Sequence, residues 1–200
     1  MLVVAVVRAG ERLERARNAL DAFSGSSSYS EAEEHWRDFL LAASSIFAKL
    51  EQGAKGNGLS QSWFGRQRRF RKTDATLRYL HHARNCDEHG LELVTERRPD
   101  GGQKQRFGER TEWTIRTLDE KTGEQGPPVK AWMYGPHVRL AKVIDRGVTY
   151  FPPKEVATPT GDPEALGRHA LSLLERMLSE AAALPSLSAG NASDDERATP

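Results

Sequence analysis

Residues Leu77 to Leu91 read LRYLHHARNCDEHGL, and the architecture turns on how this stretch is taken. At 100° per residue, Leu77, Leu80 and Leu91 share one helical face, and Arg84 falls among them. Asn85 and His89 are four residues apart and stack on an adjacent face, with His82 beside them. Gly90 supplies the stop. The stretch therefore predicts the last turns of a long helix. An arginine on an apolar seam is costly unless something pairs with it. Arg84 is thus expected either against a carboxylate or at a subunit seam.

Upstream the pattern stays helical. Val6, Ala9, Leu13, Ala16, Leu20 and Phe23 recur every three or four residues among Arg and Glu, which predicts an amphipathic helix to about Phe23. Gly25-Ser26-Ser27-Ser28 breaks it. Ser30-Glu31-Ala32-Glu33 has the capping-box pattern, and Trp36, Phe39, Leu40, Ala43, Ile46, Phe47 and Leu50 form the stripe of a second helix that Gly53 to Gly58 end. Ser60-Gln61-Ser62 opens a third helical region, with a kink expected near Thr73-Asp74. Trp63 and Phe70 are expected in the core, with base stacking among the surrounding arginines as the alternative.

Downstream of Gly90 the period falls to two. A polar loop, Arg97 to Gly108, precedes alternation over Glu112–Leu118, Val129–Met133 and His137–Ile144. Asp145-Arg146-Gly147 reads as a turn into Val148–Phe151. Three or four short strands are expected. A last helix follows Thr160-Gly161, capped by Asp162 with Pro163 at its first position. Its stripe is Leu166, Ala170, Leu173, Leu174, Met177, Leu178, Ala181 and Leu184, and Pro185 ends it. The expected class is mainly α, a four-to-five-helix up-and-down bundle carrying a small inserted β element. The bundle takes residues 1–90 and 160–185, the β-rich insertion 91–159, and a disordered polar tail 186–200.

With 38% hydrophobic and 28% charged residues and a net charge of +1, the chain suits an ordinary core, and global charge says nothing about nucleic acid. One cysteine, Cys86, excludes an internal disulfide and fits a reducing compartment. No leader or membrane span is evident, so a cytoplasmic location is expected. Neither a phosphate-binding G-x-x-x-x-G-K-[ST] loop nor a G-x-S-x-G elbow occurs, and no cofactor is expected. His82, Cys86 and His89 have helix-face spacing but lack the paired ligand spacings of a zinc site, so no metal is expected.

Arg84, Asn85 and His89, in the order Arg-Asn-x-x-x-His near a helix end, resemble the signature of the HEPN superfamily. In that signature an Arg is followed after four to six residues by His, often with a polar residue directly after the Arg. The resemblance implies a metal-independent endoribonuclease acting as a homodimer through its motif helices, leaving 2′,3′-cyclic phosphate ends. It suggests defence or toxin-antitoxin biology, with an antitoxin or regulatory protein as partner. On this reading Arg84 holds the phosphate by bidentate contacts. His89 transfers protons near neutrality, and Asn85 orients His89 or the phosphate.

From Arg66 to Arg84 there are seven Arg or Lys and one Asp, a local excess of +6. Basic residues interleaved with aromatics track a phosphate backbone. Arg66, Arg68, Arg69, Arg71, Lys72, Arg78 and His82 are the RNA-binding candidates. Two other readings stay open. One is a binding module without catalysis, holding RNA, a nucleotide or a protein. The other is a plain helix end at which Asp87 and Glu88 pair with nearby arginines.

Overall fold

The structure, a computed structural model, describes residues 1–90, 93–99, 105–119, 121–157 and 161–185. It is mainly helical. Helices α1 (Val3–Ser24), α2 (Tyr29–Ala54), α3 (Gly58–Thr73) and α4 (Ala75–His89) precede strands β1 (Thr95–Arg98), β2 (Arg110–Ile115), β3 (Val129–Tyr134), β4 (His137–Leu140), β5 (Val143–Asp145) and β6 (Val148–Tyr150). The short α5 (Lys154–Ala157) and the long α6 (Pro163–Ala182) follow. Leu91, Thr160, residues 100–104 of the polar loop and the tail 186–200 lie outside the described residues.

Helix α1 begins at Val3, earlier than the periodicity suggests, and its apolar start docks on α2 where Leu2 N donates to Gly53 O at 3.0 Å. That bond, with the short link Gly25–Ser28, makes α1 and α2 antiparallel. Gly53 permits the approach: a Cβ there would stand 2.3 Å from Ala5 Cβ. Helix α6 runs back along α1, since the Met1 ammonium donates to Pro185 O at 2.7 Å and Gly167 faces Leu20. Trp36, Phe39, Leu40, Ile46, Leu50, Leu166 and Leu174 fill the centre. Trp36 and Phe39 stack with centroids 5.0 Å apart. Burying such side chains contributes roughly 1.5–3 kcal/mol each.

Two helix boundaries depart from expectation. The cap of α2 is Ser28, whose Oγ accepts from Glu31 N at 3.3 Å, while the Glu31 carboxylate accepts from Ser27 N and Oγ. The box therefore sits two residues before Ser30. Glu33 is instead buried, and Arg97 of β1 donates to it through Nε at 2.9 Å and through a terminal nitrogen at 2.8 Å. The expected kink is a full break. Asp74 has extended backbone and accepts from Leu77 N at 2.9 Å, so its carboxylate caps α4 while its own N–H closes α3 on Phe70 O. Phe70, expected in the core, is 37% exposed, whereas Trp63 is buried. At the other end Asp162 caps α6 as expected, accepting from Glu164 N.

Among the described residues six strands, rather than the expected three or four, form three antiparallel ribbons: β1–β4, β2–β3 and β5–β6. Val94, Leu140 and Val143 enter the same core as the helices. The β1–β4 and β5–β6 ribbons are therefore integral to the bundle's packing. The β2–β3 ribbon differs. Its strands pack chiefly on each other, and Trp113, Ile115 and Val129, all on one face, are exposed. The β5–β6 turn has Arg146 and Gly147 at φ 52° and 80°, the two-residue hairpin geometry that matches strand twist.

Candidate functional site

Helix α4 buries Leu77, Tyr79, Leu80, Ala83 and Cys86 and turns a polar stripe outward. Arg78, His82, Asn85 and His89 fall within about 60° of one another on that stripe, and Arg84 lies on the next face. The buried side is fixed by the strand region: Tyr79 Oη donates to Ala141 O at 2.7 Å and Cys86 Sγ to Ile144 O at 3.3 Å. Asp87 lies 3.6 Å from Arg37 of α2.

Arg84 takes the carboxylate option. Its guanidinium forms an ion pair with Glu88, one turn on, and donates to Asn85 Oδ1 at 3.5 Å. Its Nε is buried and has no hydrogen-bond partner among the described residues. His89 Nε2 lies 3.8 Å from the same Glu88 oxygen. Arg84 and His89 point about 140° apart round the helix, and one Glu88 oxygen pairs with Arg84 and lies 3.8 Å from His89, beyond hydrogen-bond distance. The His89 side chain is 73% exposed. Asn85 does not orient His89: its amide nitrogen donates to Asp145 Oδ2 at 3.0 Å.

Asp145, which the sequence offers only as a turn residue, is the centre of a second cluster. Its Oδ2 also lies 2.7 Å from His82 Nδ1. An ionised carboxylate can only accept, so the proton belongs on Nδ1, and Nε2 is left for another partner. The His82 ring stacks on Tyr150 of β6 at 3.6 Å and 12°. Hydrogen bonds from Asn85 and then His82 hold the Asp145 carboxyl below the usual carboxylate range, against its partial desolvation. One hairpin thus clamps the middle of the polar stripe, leaving Arg78 and His89 open to solvent.

The basic candidates divide. Arg66, Arg69, Lys72 and Arg78 are exposed and have no ion-pair partner among the described residues. Arg68 pairs with Glu51 of α2 and lies over Phe64. Arg71 is half-buried with its guanidinium 4.7 Å from the Phe47 ring centre. Arg71 and His81 line a small cavity of about 20 Å³ with Phe47, Leu77 and Leu80. There His81 is pushed down to about 4, first by burial and then by the Arg71 and His82 charges. His82 is bound to Asp145, as described above, rather than free for a phosphate.

His82, Cys86 and His89 do not converge. Among the described residues no group of three or more His, Cys, Asp or Glu could hold a metal ion. No described helix is long and apolar enough to cross a membrane. The chain matches no protein-family model, no curated protein and no solved structure.

Proposed function

We propose that this chain is a metal-independent endoribonuclease of HEPN type, cleaving RNA to 2′,3′-cyclic phosphate ends at Arg84, Asn85 and His89. The observation that carries this reading is the convergence of Arg84 and His89 on one carboxylate. Glu88 occupies the place an anion takes between a permanent cation and an imidazole. A phosphodiester that displaces Glu88 meets the Arg84 fork for its non-bridging oxygens and His89 for proton transfer. The exposed Arg66, Arg69, Lys72 and Arg78 supply backbone attraction. The helices around α4, with strands between α4 and α6, are the arrangement we read as a HEPN-like bundle. On that reading two copies pair through α4, and their two sets of Arg84, Asn85 and His89 face each other.

A second reading is an RNA-binding module that does not cleave. It is favoured by the saturation of the motif: Glu88 and Asn85 hold Arg84, and Asp145 holds Asn85. The deciding experiment is incubation of the protein with a mixed RNA pool in excess EDTA, comparing wild type, Arg84→Ala and His89→Ala. Cleavage with cyclic-phosphate ends by wild type alone supports the ribonuclease. Binding without cleavage by all three, with mutants folded as wild type, supports the module.

A further inference from the structure

Metal-independent RNA cleavage needs both a base and an acid, and a dimer that exchanges His89 residues is one way to supply them. This chain holds a second imidazole on the same stripe as His89. His82 is seven residues earlier, two turns and about 10.5 Å along the axis. It is the more tightly held of the two rings. Nδ1 is fixed by Asp145 at 2.7 Å, one ring face lies on Tyr150 at 3.6 Å, and the side chain is 20% exposed. Asp145 is itself held by Asn85 at 3.0 Å and by the tight Arg146-Gly147 turn. A carboxylate on Nδ1 that fixes the tautomer and offsets charge on the ring is the arrangement by which an imidazole delivers a proton from Nε2.

Resting on the ribonuclease reading, we propose that His82 is the general acid of the cleavage and Asp145 its positioning residue, so that acid and base come from one chain. His89 takes the 2′-hydroxyl proton, and the 2′-oxygen bonds to phosphorus. The bond from phosphorus to the 5′-oxygen breaks with its electron pair on oxygen, and His82, which enters the step as the imidazolium with its Nδ1–H on Asp145, gives its Nε2 proton to that oxygen. The products are a 2′,3′-cyclic phosphate and a 5′-hydroxyl. His82 ends neutral and His89 protonated, and exchange with water resets both.

The bland account of the same contacts is a staple between the β5–β6 hairpin and α4, and the test separates the two. The substrates are an RNA oligonucleotide with one ordinary linkage flanked by 2′-deoxy positions, and its twin with sulfur replacing the 5′-bridging oxygen. The thiolate leaves without a proton. His82→Gln is expected to cut the ordinary linkage at least about 100-fold more slowly than wild type. On the sulfur linkage it should come within about 10-fold of wild type. Asp145→Asn, which keeps the shape of the side chain, should show a smaller loss on the ordinary linkage, again relieved by sulfur. His89→Ala should be slow on both. A His82→Gln protein that cuts the ordinary linkage at the wild-type rate, or is equally slow on both linkages, overturns the assignment and leaves the ribonuclease standing. A wild type that cuts neither linkage nor any RNA of the mixed pool overturns the ribonuclease reading and this one with it.

Discussion

Replacing His81 by Gln should flatten the fall in stability between about pH 7.5 and pH 5. In the folded protein burial, then the Arg71 and His82 charges, hold this imidazole near 4, against an ordinary 6.5. Among the charges facing it, Asp145 alone acts in the opposite direction, and Arg84 adds to the depression. Between those two values the unfolded chain binds a proton that the folded chain refuses. Stability therefore rises with pH through this window, and the contribution is lost as pH falls from 6.5 towards 4. At pH 5 the linkage arithmetic gives about 2 kcal/mol, and partial solvation of the half-buried ring brings this to about 1–2 kcal/mol. The window lies above the point at which the depressed carboxyls, Glu33 and Asp145, take up protons in the unfolded chain, so they do not confuse it. The assay is urea unfolding of wild type and His81→Gln at several pH values. The difference between the two proteins should grow in favour of the variant as pH falls. Parallel pH curves refute the argument.

Three further outcomes follow from the packing and the ion pairs. Gly53→Ala should destabilise despite a helix propensity gain of about 1 kcal/mol, because its Cβ meets Ala5 Cβ, whereas Gly65→Ala, with open space around it, should stabilise by about 0.5–1 kcal/mol in thermal melts. Arg97→Met should cost about 1–3 kcal/mol in chemical unfolding, because it strands the buried Glu33 carboxylate, and adding Glu33→Met should recover part of the loss. If the chain binds RNA as proposed, Glu88→Gln should raise RNA affinity several-fold in fluorescence titrations, with a steeper salt dependence, by freeing the Arg84 charge.

Periodicity located the long helices because each buries one stripe, and Trp36, Leu50, Leu166 and Leu174 lie inside as their spacing requires. It could not place the cap of α2 within two residues, because Ser28, Ser30, Glu31 and Glu33 offer two overlapping boxes. Only the pairing of Glu33 with Arg97, 64 residues away, decides between them. Asp74 was readable as a kink and not as a stop, since the same residue closes one helix and caps the next. The grouping of Arg84 and Glu88 follows from their i, i+4 spacing. Asp145 was invisible as a site residue. It looks like turn material, and its value comes from a hairpin folding back onto a helix 60 residues earlier in the chain. His81 was likewise silent, because burial and not spacing sets its chemistry.

The β2–β3 ribbon can be regarded as a replaceable cassette. Its base is closed by Gly135 N donating to Glu109 O at 2.9 Å and Gly108 N donating to Pro136 O at 2.8 Å, so the chain leaves and re-enters the body at nearly one point. Lengthening such a closed excursion costs only about 0.6 kcal/mol per doubling. The segment from 110 to 134 is thus free to be shortened to a turn, exchanged or extended while Asp145 still reaches α4. Selection or an engineer could change what the ribbon carries without disturbing the cluster of His82, Asn85 and Asp145.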